Sequence, residues 1–93
     1  MGSEADELAA ERRRLTFLAS RRSMREVEQL LCHFVEQHLP IADRATCCRF
    51  SRLLSCEDAD LIDWLLGMRL PPEDIDPALI RQLRLCRGAG PEQ

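Results

Sequence analysis

Five cysteines and two histidines are the residues of this chain best suited to nucleophilic or metal chemistry, and their spacing supports neither. Cys32, Cys47, Cys48, Cys56 and Cys86 form no C-x-x-C pair, and their odd number does not suggest a secreted disulfide framework. They read as reduced thiols of a cytosolic protein. His33 and His38 lie five apart, not at the i, i+4 spacing that turns two imidazoles to one helical face for zinc. Cys32 and His33 are neighbours whose side chains diverge on a helix, so they make no nucleophile–base pair. Buried or half-buried side chains are the default for all seven residues. The chain contains no Lys, Tyr or Asn, which removes Schiff-base lysines, phosphate-loop lysines and tyrosine acids. Gly2, Gly67, Gly88 and Gly90 are too scattered to form a phosphate cradle. Enzyme hypotheses lose ground on these absences, nucleotide binding by those routes is excluded, and no catalytic residue or metal site is expected.

What remains is charge and pattern. Residues 12–25 carry Arg12, Arg13, Arg14, Arg21, Arg22 and Arg25 with no acid, whereas 57–63 carry Glu57, Asp58, Asp60 and Asp63 with no base. Such runs are usually solvated faces, but this asymmetry can also orient a protein partner. The net charge of −3 speaks against nucleic acid as that partner. No apolar run is long enough for a membrane span, and "LTFLA" is closed off by "SRR" before it can form a signal-peptide core. A cytoplasmic location without membrane insertion is expected.

The elements that must position these charges read as helices. Met24, Val27, Leu31, Phe34, Val35 and His38 follow the three-and-four spacing of one buried stripe, predicting a helix over 24–39 that Pro40 stops. Ser23-x-x-Glu26 at its start satisfies the capping-box rule. Asp43 can cap a helix over 43–55 with Cys47, Phe50, Leu53 and Leu54 inside. Asp58 is a candidate N-cap for a short helix carrying Leu61, Ile62, Trp64, Leu65 and Leu66, after which Gly67 suits the left-handed C′ position. Asp76-Pro77 opens a last helix bearing Leu79, Ile80, Leu83 and Cys86 and ended by Gly88. An N-terminal helix near 5–20 has only a weak stripe of Leu8, Leu15 and Leu18 and is expected to fray at its start.

No strand-like alternation, hairpin signal or repeat is present, and 93 residues suffice for one modest core. The predicted fold is all-α, a small single-domain bundle of four to five helices, monomeric or weakly associating. Residues 1–13 are expected as a weakly ordered N-terminal extension of mixed charge, 14–87 as the helical bundle and 88–93 as a flexible tail. With few aromatics, Trp64 is expected in the packing.

Arg22-Ser23-Met24-Arg25-Glu26, followed by "FVEQH" at 34–38 and "LLSCEDADLIDWLL" at 53–66, resembles the FAD assembly factors of succinate dehydrogenase, the SdhE or flavinator family. The resemblance spans residues 14–85. Arg22 and Glu26 match an R-G-x-x-E motif, with Ser23 at its glycine position. Cys56, Asp58, Asp60, Leu61, Trp64 and Leu65 match an E-C-x-D-P-D-L-x-x-W-L segment, with Ser55 and Ala59 as departures. The resemblance implies a helical assembly factor that binds the flavoprotein subunit of succinate dehydrogenase or fumarate reductase and promotes covalent attachment of FAD held by that partner. It makes Arg22, Ser23, Met24, Arg25, Glu26, Asp58 and Asp60 the partner-binding residues. Two other readings stand beside it: a diverged adaptor without flavinylation activity, favoured by Ser23, and a helical DNA-binding module, disfavoured by the acidic balance and by Asp60 and Asp63 on the helix that would read the groove.

Overall fold

A computed structural model describes residues 3–88, with side chains through Cys86. Its five helices are α1 (Glu4–Ala19), α2 (Arg25–His38), α3 (Arg44–Leu54), α4 (Asp58–Leu65) and α5 (Pro77–Gly88), with a short 3-10 turn at Leu39–Ile41 between α2 and α3. No strand occurs among the described residues. Helix α1 packs on α3 and α2, while α2 also meets α4 and α5.

The helix borders follow from local chemistry in most places. Asp43 accepts the Thr46 N–H at 2.8 Å, and Asp76 accepts the Ala78 N–H at 3.0 Å just beyond Pro77. Gly67 has φ 76°, and the bonds Gly67 N to Trp64 O and Met68 N to Asp63 O close α4 in a Schellman motif. A Cβ there would be strained by the backbone and would touch the Arg84 guanidinium at 3.5 Å. Pro40 ends the α-helical ladder of α2 but not the winding of the chain, which continues as the 3-10 turn and buries Leu39.

Val27, Leu31 and Phe34 of α2, Cys47, Phe50, Leu53 and Leu54 of α3, and Leu61, Trp64 and Leu65 of α4 share one core with Leu79, Ile80 and Leu83 of α5. Phe34 and Phe50 meet at 4.8 Å between ring centroids, joining α2 to α3. Trp64 is 3% exposed. Removing either phenylalanine ring leaves a cavity costing roughly 3–5 kcal/mol.

The helix expected near 5–20 is present as α1. It starts at Glu4, where Ser3 and Asp6 form a capping box and Glu4, Asp6 and Glu7 complement the helix dipole. Distant groups hold α1: Arg12 donates to the Ala42 carbonyl at 2.5 Å, Arg14 to Ser51 Oγ at 3.0 Å, and Leu15 and Ala19 are fully buried. The expected tail lies outside the described residues beyond Gly88.

Candidate functional site: the joint at the start of α2

The link between α1 and α2 carries Arg21, Arg22, Ser23 and Met24, and Arg22 turns inward from it. Its Nε donates to Asp58 Oδ1 at 2.6 Å, Nη1 to the Leu54 carbonyl at 2.7 Å and Nη2 to the Cys56 carbonyl at 2.6 Å. Leu54 is the last residue of α3, so its carbonyl has no partner within the helix and Arg22 supplies one. The other oxygen of Asp58, Oδ2, accepts the Met24 N–H at 2.8 Å and the Ser23 hydroxyl at 3.1 Å.

This geometry replaces two local capping assignments. Met24, not Ser23, is the N-cap of α2, and it makes no side-chain cap bond. Ser23 and Glu26 form no capping box, because the carboxylate of Asp58, 34 residues beyond Met24, takes the donors at this end. Asp58 is correspondingly the first residue of α4 rather than its cap, and Glu57 stands at the cap position without a side-chain bond. Each local motif was chemically sound, but an inward-facing carboxylate already fixed by arginine is the stronger acceptor.

The pair is buried, with side-chain exposure of 10% for Arg22 and 3% for Asp58. Burial opposes the charge of Asp58, yet the Met24 N–H, the Arg22 guanidinium and the Ser23 hydroxyl outweigh it and hold the carboxyl below its usual range. Such a pair adds little over an apolar substitute of the same shape, but removing one partner strands the other charge.

The seven residues expected to bind a partner therefore divide. Arg22 and Asp58 spend their polar atoms on the fold, and Met24 is half-buried against the core. Ser23, Arg25 and Glu26 are exposed at the joint and the first turn of α2. Asp60 lies on the outer side of α4, where Arg69 donates to it at 2.5 Å and to Asp63 at 3.0 Å. Arg69 was not singled out in the sequence, although its place just beyond the acidic run offered the signal. No φ between α1 and α2 is positive, so the backbone itself does not require glycine at position 23.

Burial pushes the Cys32, Cys47, Cys56 and Cys86 thiols up. Among the described residues no group of three or more His, Cys, Asp or Glu side chains is placed to hold a metal, and no helix is long and apolar enough to cross a membrane. What the joint offers is a charged turn pinned by the Arg22–Asp58 pair, with Ser23, Arg25 and Glu26 exposed.

Residues 13–86 match the family described as flavinator of succinate dehydrogenase. The chain is 42% identical over 66 residues to the FAD assembly factor SdhE of Pseudomonas aeruginosa, covering 71% of this chain and 75% of that protein. It is 36% identical over 91 residues to the protein of the same name from Acetobacter pasteurianus, covering 94% and 84%. The SdhE of Shewanella oneidensis is 38% identical over 73 residues, covering 75% and 82%. No solved structure matches significantly.

Proposed function

Because this chain belongs to the flavinator of succinate dehydrogenase family, we propose that it binds the flavoprotein subunit of that enzyme and promotes covalent attachment of FAD to a histidine there. It is an assembly factor rather than an enzyme in its own right. Fumarate reductase, whose flavoprotein subunit poses the same chemical problem, is a second client. The flavin stays with the client, and the factor works as a cytoplasmic monomer.

The observation that carries this reading is the union of the two family-like segments at one joint. The Arg22–Asp58 pair and the Asp58–Met24 bond fix the start of α2, leaving Ser23, Arg25 and Glu26 on the outside as a preformed contact. Covalent attachment requires flavin and histidine to be held in reactive geometry, and a partner that stabilises this geometry lowers the barrier without contributing a reacting group. Arg25 and Glu26 are the residues assigned to client contact, and Ser23 sets how closely the client approaches.

Co-expression with the host's flavoprotein subunit, followed by measurement of protein-bound covalent flavin, tests the proposal. Flavinylation should depend on the factor, and Glu26→Gln should reduce it while lowering the melting temperature only slightly, since Glu26 makes no cap bond and only its first-turn charge is lost. Equal covalent flavin with and without the factor sinks the assignment. Ser23 supports a second reading, an adaptor that has kept the bundle and lost the flavin-related work; a factor that binds the client without raising its covalent flavin would favour it.

A further inference from the structure

A groove runs between α1 and α2, away from the buried joint. One part, of about 430 Å³, has Arg13, Phe17, Cys32 and Val35 in its walls, and a second part, of about 260 Å³, shares Arg13 and Val35 and continues to Leu39 and Pro40. The small polar groups along it are spent locally. Thr16 Oγ1 donates to the Arg12 carbonyl, Ser20 Oγ to the Phe17 carbonyl, and Cys32 Sγ to the Ala19 carbonyl. That leaves an apolar floor, the Phe17 ring and the Arg13 guanidinium in the walls, with the Arg21 guanidinium beside them over the Phe17 ring, as the features a ligand would meet.

The arginines decide what kind of ligand fits. Arg14, Arg22, Arg44, Arg49, Arg52 and Arg69 each have a carboxylate partner. Arg12, Arg13, Arg21, Arg25, Arg81 and Arg84 have none among the described residues; of these, the exposed Arg13 lines both parts of the groove and the exposed Arg21 lies over Phe17 at its edge. Between Arg13 and Arg21 in sequence lies Phe17, which is 57% exposed and carries the Arg21 guanidinium over its ring at 5.0 Å. An aromatic ring more than half exposed and flanked by two arginines without carboxylate partners offers an apolar contact between two cations. Glu36 is the single acid in the groove walls, on the α2 side.

We propose that this groove receives an acidic amphipathic helical segment of the client protein. Carboxylates about two turns apart, on the order of 12 Å, would meet Arg13 and Arg21, and apolar side chains between them would cover Phe17 and Val35. The inference rests on the proposed function for the identity of the client. It extends the contact surface from the Ser23–Glu26 turn, which directly follows Arg21, along the length of α1. Electrostatic complementarity of this kind governs encounter rate and salt dependence, while the buried aromatic contributes most to residence.

The test uses the full chain and a fluorescently labelled helical peptide of roughly 15 residues, with leucines flanked by glutamates about two turns apart. Saturable binding that weakens with salt is expected, with about a tenfold or greater loss in the double variant Arg13→Glu/Arg21→Glu and a comparable loss in Phe17→Ala. All three positions are exposed, so circular dichroism and melting temperature should not change. Absence of saturable binding, equal binding by wild type and variants, or displacement of the peptide by a single-stranded oligonucleotide overturns the inference. The same variants are then titrated against the purified flavoprotein subunit. If the wild type binds and flavinylates it and the double variant does so equally well, the groove inference falls while the function stands. If the wild type does neither, the function fails and with it the identity of the occupant, while the peptide titration still decides whether the groove takes a segment of this chemistry.

Discussion

Asp58 and Asp60 stand two positions apart on α4, and each is engaged by an arginine, yet they belong to different worlds. Asp58 is buried with Arg22 and its two oxygens accept three hydrogen bonds, whereas Asp60 shares Arg69 with Asp63 on an exposed face. The difference teaches that the same ion pair is structural where water is excluded and nearly neutral where it is not. It also bears on the proposed contact, because only groups not spent on the fold can be offered to a client.

The sharpest way to break this contrast is to remove one side of the buried pair. Asp58→Ala or Arg22→Ala should lower the unfolding free energy by roughly 3–5 kcal/mol in chemical denaturation, because the surviving charge is left buried. The double change Arg22→Met/Asp58→Leu should cost less than either single change. A single substitution as mild as a surface mutation would remove the distinction between the two aspartates.

Acid titration sharpens the same point. The carboxyl of Asp58 is lowered by its hydrogen bonds, so its contribution is complete above the unfolded-state value near 3.9 and disappears as pH falls through the lower folded-state value. The stability curves of the wild type and Asp58→Asn should therefore be separate at neutral pH and converge in acid. Parallel curves down to the acid limit would mean that Asp58 is not the group being protonated.

A smaller effect is expected at Ser23, which adds one hydroxyl bond to Asp58. Ser23→Gly should cost about 1 kcal/mol through that bond and the added backbone freedom, while client binding or flavinylation stays level or rises as the approach loosens. Thermal melts and client titrations read the two effects separately, and a simultaneous loss of both would contradict the close-approach role. The smallest effect belongs to the exposed face. Asp60→Ala or Arg69→Ala should change stability by about 1 kcal/mol or less, shrinking with salt. A change comparable to that of Asp58→Ala would erase the contrast.

Much of the fold is legible because its causes are local. The stripes of α2 and α3, the caps at Asp43 and Asp76, and the left-handed turn at Gly67 each depend on residues within a few positions of one another. The start of α2 misleads for the opposite reason. Ser23-x-x-Glu26 has the spacing of a capping box, but the decisive acceptor comes from Asp58, which no local window contains. Helix α1 is legible from its short apolar stripe, whereas the bonds by which Arg12 and Arg14 reach α3 and the segment before it lie outside any local window. A trace of the joint was nevertheless present: Arg22 and Asp58 sit in two segments whose order and separation resemble one family, as expected of partners that must meet.

The bond from Met24 to Asp58 has a further meaning for the order in which the chain assembles. It closes a separation of 34 residues, so it cannot form while α2 is an isolated nascent helix. The first turn of α2 lacks its anchor until the chain has passed through α3, turned at Cys56 and brought α4 back. On the proposed reading, in which this turn faces the client, an incompletely folded copy would not present it, and the factor would become competent to engage its client only once its own tertiary structure is complete.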